Sequence, residues 1–224
     1  MIEAKDVSLR YPDGTTALTN ISLRIEPGEI VYITGPSGSG KTSFLKLLMG
    51  IEYPSSGSLQ VLGQTMSKDQ AAVIRQLRMQ MGPVFQEFKL IKGRTALENV
   101  VMGMRFLGLP TKQIYEDACI ALAKVGLEHK SLAYVENLSW GETQRVAIAR
   151  AIARKPALIL ADEPTGNLDV ENALNIMDLL TSLKDEKTAI IITTHATHLI
   201  DSSTEGKLLQ METGSICWER LGSV

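Results

Sequence analysis

Residues 35 to 42 read GPSGSGKT, which satisfies the pattern G-x-x-x-x-G-K-[ST]. Its glycines, Gly35, Gly38 and Gly40, interleave with Pro36, Ser37 and Ser39 and let backbone N–H groups wrap the oxygens of a phosphate chain. Lys41, Thr42 and Ser43 would open a helix whose N-terminus adds partial positive charge. Lys41 would then neutralise β- and γ-phosphates, and the Thr42 hydroxyl would ligate magnesium. A second chemical stretch is LILADEP, where Asp162 and Glu163 close an apolar run. Alone, two acids ending a strand are more often a solvated loop than a site. Behind a phosphate-binding loop, Asp162 suits the magnesium shell and Glu163 can orient and deprotonate an attacking water.

Three further side chains fit the same chemistry. His195 ends the run AIIITTH, where an imidazole can contact a γ-phosphate or position water. His129 and His198 read as surface or capping residues. Gln86 ends VFQ and offers an uncharged amide to magnesium or water. Tyr11, just before PDG, can stack on an adenine face or pack half-buried in the core.

The elements that must hold these residues follow from periodicity. VSLRY, ISLRIE and EIVYITG are strand-like and separated by PDGT and EPGE turns, so the chain begins as sheet. From Lys41 the spacing becomes helical, with Phe44, Leu45, Leu47 and Leu48 ahead of Gly50 as the C-terminal stop. SLQVLG predicts a short strand, and 68 to 81 a helix with Ala72, Val73, Leu77 and Met81 on its apolar face. MGPVFQ returns to extended structure. Residues 95 to 135 carry helical patterns only, and after Trp140 another helix leads into ALILAD. A helix near 170 to 185, the strand TAIIITTH and a terminal hairpin around ETGS complete an α/β fold with a parallel sheet.

Composition narrows the class. Hydrophobic residues make up 44% and charged residues 21%, the balance of an ordinary water-facing globular protein. A formal charge of −2 gives no global pull toward nucleic acid or anionic lipid, so no nucleic-acid partner is expected. Glu3, Lys5 and Asp6 and the lack of an early apolar segment predict no secretion signal. The longest apolar runs, such as 156 to 161, are far short of a bilayer span. Cys119 and Cys217 lack metal-ligand spacing and are expected as reduced thiols.

GPSGSGKT, Gln86, NLSWGE, LILADEP, GNLD and His195, in this order, resemble the ATP-binding subunits of the ABC transporter superfamily over nearly the whole chain. The resemblance implies an α/β P-loop ATPase with an N-terminal antiparallel β-subdomain and an inserted helical subdomain at about 87 to 155, forming one domain over residues 1 to 224. It implies ATP and magnesium as ligands, with magnesium held by Thr42, Gln86 and Asp162. Tyr11 takes the place of the adenine-stacking aromatic, Gln86 of the loop glutamine, Glu163 of the catalytic base and His195 of the switch histidine. Asp169 matches the loop that crosses between protomers. In that family two subunits sandwich two ATP molecules head to tail. NLSWGE occupies the signature position, so Ser139, Gly141 and Glu142 are expected at the γ-phosphate held by the other protomer.

Trp140 stands where that family carries glycine. Any residue but proline keeps its N–H, so the segment still offers amides to phosphate. A positive φ at this position would strain a tryptophan. Either the indole packs at the dimer seam or it points to solvent. Finer resemblance, in ADEPTGNLD and VFQEFKLIKGRTALENV, is to the branch of FtsE-, LolD- and MacB-like ATPases, which serve cell division, lipoprotein release and peptide or drug export. LIKGRTALENV is most similar to the cell-division members. The resemblance implies a peripheral protein at the cytoplasmic face of the inner membrane, working on a transmembrane partner. That partner is expected to dock on the helical part near 87 to 110, where one or two of Phe88, Leu90, Ile91, Met102, Met104 and Phe106 would be left exposed. A soluble regulatory ABC ATPase is the reading from another class.

Overall fold

The computed structural model describes residues 1–166, 168–200 and 205–220, the last four by backbone alone. Turn chemistry sets the first strands. β1 (Ile2–Arg10) and β2 (Thr16–Ile25) flank the PDGT turn, where an Asp13 carboxylate oxygen accepts the Thr15 amide and Gly14 takes φ 90°. Alternation buries Ile2, Ala4, Val7 and Leu9 of β1 against Leu18, Ile21, Leu23 and Ile25 of β2. β3 (Ile30–Thr34) leaves for a second sheet and is buried along its whole length. α1 (Lys41–Leu48) follows and buries Phe44, Leu45, Leu47 and Leu48, and Gly50, at φ 62°, ends it. β4 (Ser56–Val61) and the two-residue β5 (Gln64–Thr65) complete an antiparallel sheet of order β2-β1-β4-β5.

The helix expected over 68 to 81 is shorter and faces differently. A 3-10 turn at Lys68–Gln70 leads into α2 (Ala71–Leu77), and a second turn covers Arg78–Gln80. Its buried residues are Ile74 and Leu77, one turn apart, while Ala72 and Val73 face solvent. Met81 opens β6 (Met81–Val84) because it pairs in parallel register with Leu158. That tertiary pairing overrides the local helical period.

α3 (Ala96–Met104) begins at a reciprocal cap between Thr95 and Glu98, and α4 (Thr111–Lys124) follows Pro110. α5 (Trp140–Ile152) lies against both helices. The three share one core with the far face of the second sheet, in which Val100, Met104, Leu122, Ile148 and Ala149 meet Val84, Ile159 and Ile190. β7 (Leu158–Asp162), α6 (Val170–Ser182) and β8 (Ala189–Thr194) supply the remaining alternation. β9 (Lys207–Glu212) and β10 (Ser215–Arg220) form the edge hairpin.

The second sheet has the order β10-β9-β3-β8-β7-β6 and is parallel except for β10. Its register pairs Thr34 with Thr194, Asp162 with Thr193 and Val84 with Ala161. Four carboxyl ends are thereby brought to one edge, where Gly35, His195, Glu163 and Gln86 follow. This edge is where open α/β sheets bind ligands.

Candidate active site

The loop between β3 and α1 depends on glycine for both conformation and space. Gly35, Gly38 and Gly40 take φ of 149°, 78° and 108°. A Cβ on Gly35 would lie 2.2 Å from the Met211 carbonyl oxygen, and one on Gly40 2.6 Å from that of Ala17. Among the described residues no side chain caps the first turn of α1, so its amides remain available to a ligand. Lys41 folds back over this cradle: Nζ donates to the Gly35 and Pro36 carbonyls at 2.8 and 3.0 Å and lies 3.5 Å from Glu163 Oε1. The ammonium is buried, and these three oxygens compensate its lost hydration. Among the described residues the buried Ser39 hydroxyl has no hydrogen-bond partner.

At the end of β7, Asp162 Oδ1 accepts from Thr42 Oγ1 at 3.2 Å and from Thr193 Oγ1 at 2.8 Å. Glu163 is buried and takes φ 47°, a left-handed conformation that a non-glycine residue keeps only where its surroundings enforce it. Its amide donates to the Thr193 carbonyl at 3.0 Å. Its Oε2 accepts from the His195 amide at 3.1 Å and lies 2.9 Å from His195 Nδ1. The imidazole Nε2 is thus the ring atom left to approach a phosphate.

A cleft of about 680 Å³ opens over these groups. It is lined by Tyr11, Pro36, Ser37, Gly38, Gly40, Lys41, Thr42, Ser43, Gln86, Glu163 and His195, so most of the residues singled out from sequence meet there. Tyr11 packs partly buried against the β-core, and its hydroxyl sits 3.1 Å from Ser43 Oγ at the cleft wall. Thr15, Thr16 and Ala17 also line the cleft and carry no motif. The turn signal just ahead of them was the available clue. Thr193, which holds both acids of LILADEP, was equally silent.

Ser139, Gly141, Glu142 and Asp169 do not line this cleft. Ser139 caps α5: its Oγ accepts the Glu142 amide at 3.3 Å, and Glu142 Oε2 accepts the Ser139 amide at 2.9 Å. The other Glu142 oxygen takes Lys130 Nζ at 2.5 Å, and this bond, then the Ser139 amide, hold the Glu142 carboxyl below its ordinary pKa. Asp169 caps α6 in the same way by accepting the Asn172 amide at 2.9 Å, a bond that lowers its pKa. A Cβ on Gly141 would lie 3.5 Å from Asn172 Oδ1, so the starts of α5 and α6 adjoin. Trp140 is the first residue of α5 and takes no positive φ, so the strain conceivable there is absent. Its ring, half exposed, meets Phe88 edge-on at 4.8 Å between centroids.

Among the described residues no three His, Cys, Asp or Glu side chains gather as a metal cluster. The oxygens of Thr42 and Asp162 fit a hard cation that takes its other ligands from phosphate and water, as magnesium does. Among the same residues, no helix is long and apolar enough to cross a membrane. Of the apolar residues near 87 to 110, Phe106 (85% exposed) and Ile91 (43%) reach solvent, whereas Phe88 and Met104 are buried.

A glycine cradle at a helix start, acids at the end of a central parallel strand and an ABC-type arrangement of sheets and helices define a P-loop ATPase. Residues 18–166 match the ABC transporter family, and the chain belongs to that family. It is an ATP-binding ABC ATPase with an α/β nucleotide-binding fold. The cell division ATP-binding protein FtsE of Streptococcus pneumoniae serotype 2 (strain D39 / NCTC 7466) is 38% identical over 96% of this chain and 94% of its own length. The L-cystine transport system ATP-binding protein TcyN of Escherichia coli (strain K12) is 42% identical over 87% of this chain and 80% of its own. Among solved structures, the dimeric ATP-binding cassette MJ0796, in a post-hydrolysis state with ADP and Pi, superposes with a TM-score of 0.87. It is 32% identical and fully covered in both chains.

Proposed function

We propose that this chain is the ATPase subunit of a membrane complex of the FtsE type, closing as a homodimer around two ATP molecules. The observation that carries this reading is the division of the site into two faces. Lys41, Thr42, Glu163 and His195 converge on one cleft, while Ser139 at the start of α5 does not line it and in this reading meets a nucleotide held elsewhere. A second copy supplies that nucleotide, and dimeric relatives support the arrangement. Residues 1 to 224 act as one ATPase domain, with the helical part, about 87 to 155, as the seat of a transmembrane partner. Exposed Phe106 and Ile91 are the contacts offered to it. The protein then sits peripherally at the cytoplasmic face of the inner membrane.

In the proposed reaction, water attacks the γ-phosphorus as the bond to the bridging β–γ oxygen breaks, and Glu163 accepts the water's proton. His195, held by Glu163 Oε2, presents Nε2 to the γ-phosphate. Lys41 exchanges its loop carbonyls for phosphate oxygens. Tyr11 faces the adenine, and the amides around Gly38 and Gly40 wrap the phosphates. Thr42, Asp162 and Gln86 would hold Mg²⁺, which supplies charge neutralisation when bound. Ser139, Gly141 and Glu142, with Asp169 beside them, meet the partner's nucleotide.

The identity with a cystine-transport ATPase supports a second reading, in which the partner is a permease; the LolD- and MacB-like export roles belong to the same alternative. Capture of tagged Glu163→Gln protein with ATP and magnesium from native membranes separates them. A small polytopic cell-division protein is the expected catch, and a permease moves the assignment to transport. Recovery of soluble factors or ribosomes alone would end the membrane reading.

A further inference from the structure

The loop that carries Gln86 is held from one side by α5 at two points. Phe88 and Lys89 take φ of 57° and 50°, two successive left-handed residues with no glycine between them. Such a turn persists only where its surroundings over-determine it. Arg150 supplies one restraint, donating from Nη1 to the Lys89 carbonyl and from Nη2 to the Phe88 carbonyl, each at 2.5 Å. This fork grips both peptide units of the turn at once. The approach requires Gly103, where a Cβ would lie 2.8 Å from Arg150 Cγ. The second restraint is Trp140, whose ring packs at 67° to that of the buried Phe88. Trp140 is also the first residue of α5, between Ser139 and Gly141.

We propose that Trp140 and Arg150 are positioning residues for Gln86, forming a strut that ties the loop of a protomer's own nucleotide to the helix end it offers to its partner's. The proposal rests on the nucleotide-contacting reading of Gln86 and Ser139 above. A glycine at position 140 could not make the ring contact, so the large side chain has a purpose inside the protomer. Any displacement of the start of α5 by the partner's phosphate is carried through Phe88, two residues from Gln86. The indole therefore links the two nucleotide sites of the dimer.

The test is steady-state hydrolysis by the full-length protein. Trp140→Gly is expected to lower kcat about 3- to 10-fold, the scale of an aromatic pair, with KM for ATP within about 2-fold. Trp140→Phe, which keeps an aromatic edge for Phe88, should restore most of kcat. Phe88→Leu should reproduce the loss, and the double variant should lose no more than either single one, because both act through one contact. Losses that multiply, a Trp140→Phe as slow as Trp140→Gly, or an unchanged kcat in Trp140→Gly would each overturn the strut. A second readout uses the two tryptophans of the sequence: with Trp218→Phe, Trp140 is the sole indole. Magnesium-ATP should shift its emission, and Phe88→Leu should remove the shift; an emission blind to nucleotide, or a shift that Phe88→Leu leaves intact, overturns the proposal. Gln86→Ala distinguishes the two levels. Normal hydrolysis there removes the reading of Gln86 and the strut with it, whereas slow hydrolysis with multiplying losses overturns the strut alone.

Discussion

The starts of α1 and α5 are both aimed at phosphate in our reading, yet they are built in opposite ways. α1 opens after Gly40 in a left-handed conformation, and among the described residues its first turn has no side-chain cap. α5 opens after Ser139, whose hydroxyl and the Glu142 carboxylate close a reciprocal cap. An uncapped helix N-terminus leaves up to four N–H groups unpaired, a cost recovered when an anion arrives. A capped one is stable without a ligand and leaves fewer amides to give. The contrast suits a protein that grips its own nucleotide in an interlocked cleft and keeps a finished, stable surface for a nucleotide held by another copy. Around α1, Lys41 and Thr42 have charged or polar neighbours at another strand end, as in the chain Lys41–Glu163–His195 and the pair Thr42–Asp162. Around α5, the polar contacts of the first turn are local, from Ser139, Glu142 and Lys130.

The largest way to break the comparison lies on the α1 side. Glu163→Gln keeps the shape of the side chain and removes the base, so turnover should fall at least ~100-fold while ATP still binds. Phosphate release and nucleotide binding, measured side by side, check this. Near-normal turnover would remove Glu163 from the chemistry and leave the two helix starts without a functional asymmetry.

Much of the α1 face was legible in the sequence because its information is local. GPSGSGKT, the acids of LILADEP and the His195 at the end of an apolar run each combine a strand end with its loop in one short stretch. Periodicity likewise placed β3, α1, β7 and β8. What periodicity could not show was pairing between distant segments. The predicted helix over 68 to 81 ran too long because Met81 is claimed by Leu158, and its apolar face was misplaced because Ile74, not Val73, turns inward. Thr193 under Asp162, Arg150 under the Phe88–Lys89 turn and Phe88 against Trp140 all arise from register or helix packing between remote parts of the chain. Neither fate weighed for Trp140 from sequence included that intramolecular partner.

A smaller effect sharpens the α5 side. Ser139→Ala removes the cap that accepts the Glu142 amide and should cost about 1 kcal/mol of stability, the usual worth of a serine N-cap. Thermal unfolding of the isolated protein reads this directly. The comparable position at α1 has no side-chain cap to remove, so the loss should be specific to α5. An unchanged midpoint would mean that the cap is not what stabilises this helix start.

The smallest expected effect is a pH dependence of the same cap. In the folded protein the Glu142 carboxyl is held below its ordinary pKa, first by Lys130 and then by the Ser139 amide. A group whose pKa is depressed on folding contributes stability above its unfolded pKa and loses that contribution as pH falls through the folded one. Wild-type protein should therefore be more stable than Glu142→Gln at neutral pH, with the gap closing as pH drops through the ordinary carboxylate range and below it. The side chain lies near the surface, so salt should shrink the gap as well. Denaturant midpoints for the two proteins across that range, at low and high salt, decide the matter. A gap independent of pH would show that Glu142 holds the start of α5 by shape and hydrogen bonding rather than by charge, and the cap would then resist acid in a way its Lys130 pairing does not predict.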